Sequence, residues 1–138
     1  MTFDHATYRD FIAAKGVATK PAGFAARGSW PTLFEHQRRA LAFACEKGRA
    51  AIFLDTGLGK SRVEAAFAEE ARIATSRSTL ILTPLAVARQ MQRECEAVGV
   101  EARVVRSDAD VWTAVNIANY ERLPKLDLTR FGGVVLEE

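Results

Sequence analysis

With 138 residues and 49% hydrophobic content, the chain has enough material for one globular domain around a single core. A formal charge of +2 permits nucleic-acid binding but does not mark a dedicated basic surface, and no apolar run approaches the length of about 18 residues that a membrane span needs. The N-terminus lacks the charged start and apolar core of a signal peptide. Cys45 and Cys95 stand alone in helical patterns, so both read as small buried apolar side chains in a reducing, cytoplasmic compartment.

Residues 4–14 carry Tyr8, Phe11 and Ile12 at helical spacing and predict a short amphipathic helix. Residues 15–31 hold Gly16, Gly23, Gly28, Pro21 and Pro31, a loop that Phe24 and Trp30 would pin to the body. Thr32 followed by Glu35 fits a capping box, opening a helix that runs to about Lys47 and stops at Gly48. Leu33, Phe34, Leu41 and Phe43 give that helix its apolar surface.

The run 50–54 predicts a strand. After it comes Thr56-Gly57-Leu58-Gly59-Lys60-Ser61, and then a helix to about Ile73 with Val63, Ala66, Phe67 and Glu70 on one face. The unalternating run 79–82 suits a strand covered on both sides. Thr83 and Pro84 fit the N-cap and first position of a further helix, which presents Ala88, Met91, Cys95 and Val98 and closes at Gly99. Strands are predicted at 102–105, 114–118 and 131–136, with a charged turn at 106–110 and a boundary at Leu123-Pro124.

The loop between the first predicted strand and its helix has the layout of a phosphate cradle. Gly57 and Gly59 allow a tight turn and close backbone approach. Loop amides and the first helical turn would converge on an anion, with Lys60 reaching the β- and γ-phosphates and the Ser61 hydroxyl facing a magnesium ion. The full pattern G-x-x-x-x-G-K-[ST] is not met, because Leu54 takes the first glycine position; G-x-G-K-S remains. Strands alternating with helical stretches imply a parallel sheet, in which ligands gather beyond the carboxyl ends. The phosphate loop, Thr83-Pro84, Asn119-Tyr120 and Glu137-Glu138 each follow a predicted strand, so all four should share one rim.

In this order Gln37, Asp55 to Ser61, Leu82-Thr83-Pro84, Asn119-Tyr120-Glu121 and Val134-Val135-Leu136-Glu137-Glu138 resemble the superfamily-two helicases, above all the Swi/Snf-like and phage helicases. Leucine at the Leu54 position is common there. The resemblance implies an α/β fold, a three-layer RecA-like P-loop lobe with a mainly parallel sheet. That lobe would span 32–138 and be incomplete at its C-terminal end, with 1–31 as an N-terminal extension.

It implies ATP and Mg²⁺ as cofactors and DNA, in preference to RNA, as partner. Gln37, 23 residues before Lys60, would read adenine, since an amide can donate and accept on one base edge. Thr56, Gly57, Leu58, Gly59, Lys60 and Ser61 would hold the phosphates. Ser61 and Glu137 would hold the metal, while Lys60 and Glu138 would be catalytic. Thr83, Pro84, Arg89, Asn119 and Tyr120 would contact nucleic acid. Glu137 departs from the family's aspartate, and its extra methylene would push a carboxylate toward an ion that demands near-ideal octahedral geometry.

The family's second lobe supplies arginines worth about 10³- to 10⁵-fold in rate. None is placed to act here, so the chain is expected to bind nucleotide weakly and hydrolyse it very slowly. Two other readings stand beside this one: a complete nucleotide kinase or NTPase, and an interaction module with a vestigial loop. An unfinished sheet edge would also allow self-association.

Overall fold

The computed structural model describes residues 5–15 and 21–138. Its centre is the run Thr-Leu-Ile-Leu-Thr, whose apolar, partly β-branched side chains need cover on both faces. It forms β1, Thr79–Thr83, and all five residues are buried. β2 (Ala102–Val104), β3 (Val115–Asn119) and β4 (Gly133–Leu136) complete a four-stranded sheet in the order β2-β3-β1-β4, every pair parallel. The fold is therefore α/β with an all-parallel sheet. Register sets Thr83 opposite Asn119 and Leu82 opposite Leu136, so the carboxyl ends of β1, β3 and β4 lie side by side.

Side-chain alternation along β1 divides the core. Ile81 joins Val115 and Ile117 on the face covered by α2 (Glu35–Lys47), α3 (Lys60–Thr75) and α4 (Ala88–Ala97), through Leu41, Val63, Met91 and Cys95. Leu80 and Leu82 face the other way. There they meet Val105, Ala118, Leu126 and Phe131, supplied by a turn-rich layer rather than by helices. Both cysteines are free and fully buried, and burial pushes each thiol up to about 12. Among the described residues no helix is long and apolar enough to cross a membrane.

The first helix, α1 (His5–Lys15), forms as expected, but Tyr8 and Phe11 are exposed on it. The side chain of Ile12 and residues 16–20, with Gly16, lie outside the described residues. Residues 21–31 are bonded into the body. Phe24 N donates to Cys45 O at 2.8 Å and Ala22 N to Lys47 O at 3.4 Å, at the C-terminal end of α2. A Cβ at Gly23 would stand 1.8 Å from Cys45 O, so only glycine lets the backbone come this close. The Phe24 ring packs against Phe67 at 6.1 Å. Glu70, 1% exposed on α3, accepts from Arg27 N (2.8 Å), Gly28 N (2.6 Å) and Trp30 Nε1 (2.8 Å).

Four local expectations change. Helix α2 starts at Glu35 with Phe34 as N-cap, not at Thr32, because the Gln37 side chain supplies the acceptor for the Phe34 amide. Phe34 and Phe43, expected as core, are exposed, and Ala44 and Cys45 are buried instead. Thr83 ends β1 rather than capping a helix; a 3-10 turn, Leu85–Val87, comes between it and α4. Pro124 sits inside a 3-10 helix, Tyr120–Lys125, so Leu123-Pro124 is no boundary.

The largest difference is at 50–54, where no strand forms. β4 pairs with β1 alone, and a groove of about 480 Å³ is lined jointly by Ala51, Ile52 and Phe53 and by Val134, Val135 and Leu136. Phe53 is 92% exposed. A strand needs a paired edge, and no ladder joins this segment to the free edge of β4.

Candidate functional site

The loop 55–61 is closed by Leu58 N donating to Asp55 O at 3.2 Å. Gly57 (φ 84°) and Gly59 (φ 73°) both adopt the left-handed conformation that other residues avoid. At Gly57 a Cβ would meet nothing, so conformation alone calls for glycine; at Gly59 it would stand 2.3 Å from Gln37 Nε2. Helix α3 begins directly at Lys60, and its first backbone bond is Arg62 N donating to Gly59 O at 3.1 Å, so the amides of Lys60 and Ser61 precede the ladder. Lys60 is exposed at the positive end of the helix dipole.

Gln37 holds this loop from behind. It is buried, its Nε2 donates to Leu58 O at 2.9 Å, and its Oε1 accepts from Phe34 N at 2.9 Å. His36 Nε2 lies 3.2 Å from the same Leu58 carbonyl. The sequence points Gln37 at a base edge. In the structure one donor and one acceptor position of the amide are bonded to the protein, leaving one N–H and one lone pair.

On the other side, Ser61 Oγ donates to Glu137 Oε1 at 3.1 Å, tying the helix start to the end of β4. Glu137 N continues the ladder by donating to Leu82 O at 2.9 Å, and Glu137 O accepts from Tyr120 Oη at 2.7 Å. Glu137 is thus held through both its backbone groups and is 8% exposed, with side-chain Oε2 left unpartnered. Burial raises its carboxyl above the ordinary value, partly offset by the Ser61 bond. Glu138 is exposed and, with Lys60, lines the groove beside β4.

Glu64 was not singled out by the sequence reading. It follows Lys60 by four residues and Ser61 by three on α3, a spacing that stacks side chains on one helix face and could have revealed it. Its Oε2 is buried without a partner. Burial first, then the charge of Glu137, pushes its carboxyl up to about 7, against a lowering pull from Lys60.

The residues expected on nucleic acid are unequally placed. Thr83 is fully buried, its Oγ1 donating to Pro84 O at 3.0 Å, and Asn119 is buried with Nδ2 donating to Glu121. Pro84 is half-buried, Arg89 is exposed, and Tyr120 is partly exposed with its hydroxyl held by Glu137. Thr83, Asn119, Tyr120 and Glu137 do share the carboxyl rim, and Ser61 brings the loop to it, although no strand precedes that loop. Comparison with protein-family profiles, with curated proteins and with solved structures finds no match.

Proposed function

We propose that the chain is the ATP-binding lobe of an ATP-dependent DNA helicase or translocase, a RecA-like P-loop module. The observation that carries this reading is the Ser61–Glu137 contact, which joins a glycine loop and helix start to a buried acid at a strand end. The helix start at Lys60, two left-handed glycines and an exposed Lys60 suit the β- and γ-phosphates of a nucleotide.

Magnesium fits the residues present. Among the described residues no three His, Cys, Asp or Glu side chains assemble a metal cage. A hydroxyl and a carboxylate with a buried unpartnered oxygen suit an ion that completes its shell with phosphates and water. When bound, Mg²⁺ would neutralise charge on the phosphates. Lys60 would bind the phosphate oxygens, Gln37 would keep the Leu58 carbonyl and hence the loop in place, and Glu138 would orient water. DNA would lie along the rim near Arg89 and Tyr120, and a second lobe would supply the transition-state arginines.

The test is binding of a fluorescent ATP analogue to the chain and to Lys60→Ala, with and without single-stranded DNA. Binding that Lys60→Ala weakens severalfold supports the reading. Failure of the parent to bind at millimolar nucleotide, with Lys60→Ala behaving identically, would support a vestigial loop instead. Phosphate transfer to a small acceptor would favour a kinase.

A further inference from the structure

Among the described residues, two side-chain oxygens are buried without a hydrogen-bond partner: Glu64 Oε2 and Glu137 Oε2. They belong to one neighbourhood. Glu137 is bonded through Oε1 to Ser61 Oγ, and Glu64 stands one helical turn beyond Ser61 on the same face of α3. Two carboxyl groups, each with a buried oxygen that no donor reaches, call for a positive group close to both. Arginines pair with carboxylates elsewhere in the fold: Arg62 with Glu94 at 3.1 Å and Arg72 with Glu69 at 2.6 Å. No such bond reaches Glu64 Oε2 or Glu137 Oε2.

We propose that Glu64 is a third oxygen donor, with Glu137 and Ser61, of one divalent-cation site. This deepens the nucleotide-site reading and rests on it for the phosphates that would complete the shell. Hard divalent cations take all-oxygen shells of this kind, and a second carboxylate raises the site's affinity for the ion before nucleotide arrives. Glu64 also lines the groove beside β4 with Lys60 and Glu138, which gives an ion a path from solvent. The arrangement gives the longer side chain at Glu137 a role: a carboxylate reaching toward α3 meets a second acid with which to share the ion. A single proton held between the same two oxygens is the competing solution.

The experiment titrates the whole chain with Mn²⁺ at neutral pH without nucleotide, following free Mn²⁺ by electron paramagnetic resonance. Parent, Glu64→Gln and Glu137→Gln are compared, and circular dichroism checks that each is folded. The expected result is one bound Mn²⁺ in the parent and an affinity lower by at least about tenfold in each variant, since even residues behind the ligands commonly cost 10- to 100-fold. If Glu64→Gln does not fold, Glu64→Asp serves, and weakened binding is again expected. Equal affinity in parent and Glu64→Gln would overturn the proposal, and so would absence of Mn²⁺ binding by the parent. The fluorescent ATP analogue, measured with Mg²⁺ present and again in EDTA, separates the two readings. Nucleotide binding with Mn²⁺ affinity indifferent to Glu64 sinks this inference alone. Glu64-dependent Mn²⁺ binding without any nucleotide binding sinks the proposed function alone.

Discussion

Replacing Gln37 tests whether the phosphate loop is held from behind by one amide. Gln37→Ala removes two hydrogen bonds of 2.9 Å from a side chain that is 2% exposed. Each is worth about 1 kcal/mol net. Leu58 O keeps its contact to His36, and the Phe34 amide sits at an exposed helix start where water can serve it. The expected loss is therefore about 2 kcal/mol, the two bonds with little added for orphaned groups.

Gln37→Glu is the sharper perturbation. Its carboxyl can still accept from Phe34 N, but when ionised it has no donor for Leu58 O. Burial raises the introduced group above its unfolded value of about 4.3. For a raised acid, the protonated form is favoured in the folded state. The variant should therefore match the parent most closely below pH 4 and lose stability as pH rises through the unfolded and then the folded pKa. A shift of two units corresponds to about 3 kcal/mol. Urea unfolding of parent and both variants at pH 4, 5.5 and 7.5 measures this, the common titrations cancelling in the differences. A Gln37→Ala loss under about 0.5 kcal/mol, or a Gln37→Glu deficit that does not change with pH, would refute the reasoning.

Three further outcomes are expected. Glu70→Ala, which removes the acceptor for three donors from the 21–31 segment, should cost about 3 to 4 kcal/mol in urea and make that segment the first site of limited proteolysis. Phe53→Ala should change stability by less than about 0.5 kcal/mol, because the ring is exposed; a strand packed in the core would lose about 3 kcal/mol or more. Cys45 and Cys95 should react with a thiol reagent only at the rate of unfolding at pH 8, since burial holds both as neutral thiols; rapid modification of the native chain would contradict their placement.

What could be read from the sequence is what local chemistry decides. The run 79–82 is apolar on both faces and became the buried central strand, and Gly48 and Gly99 stop their helices in the left-handed conformation. The helix from Lys60 was legible because its small and apolar residues recur at helical spacing; Glu70 on that face was in view, and its triple acceptor role was not. The segment 50–54 has strand-forming residues but pairing depends on a neighbouring edge, which no local pattern encodes. Phe34 displaced Thr32 as N-cap because a glutamine three residues on provides the acceptor, whatever the cap residue is. At the site, the glycine loop was readable, whereas the Glu64–Ser61–Glu137 grouping depends on β4 ending beside the start of α3, 76 residues from Ser61 in sequence for the Ser61–Glu137 bond.

The segment 21–31 sets how far the chain can be shortened. By composition it is a loop, yet its backbone covers the last carbonyls of α2 and its amides and indole supply three hydrogen bonds to the carboxyl group buried on α3. A version trimmed to begin at Thr32 opens the Phe67 side of the core to water and leaves Glu70 a bare charge in an apolar setting. A chain cut anywhere inside 21–31 should therefore melt below the parent.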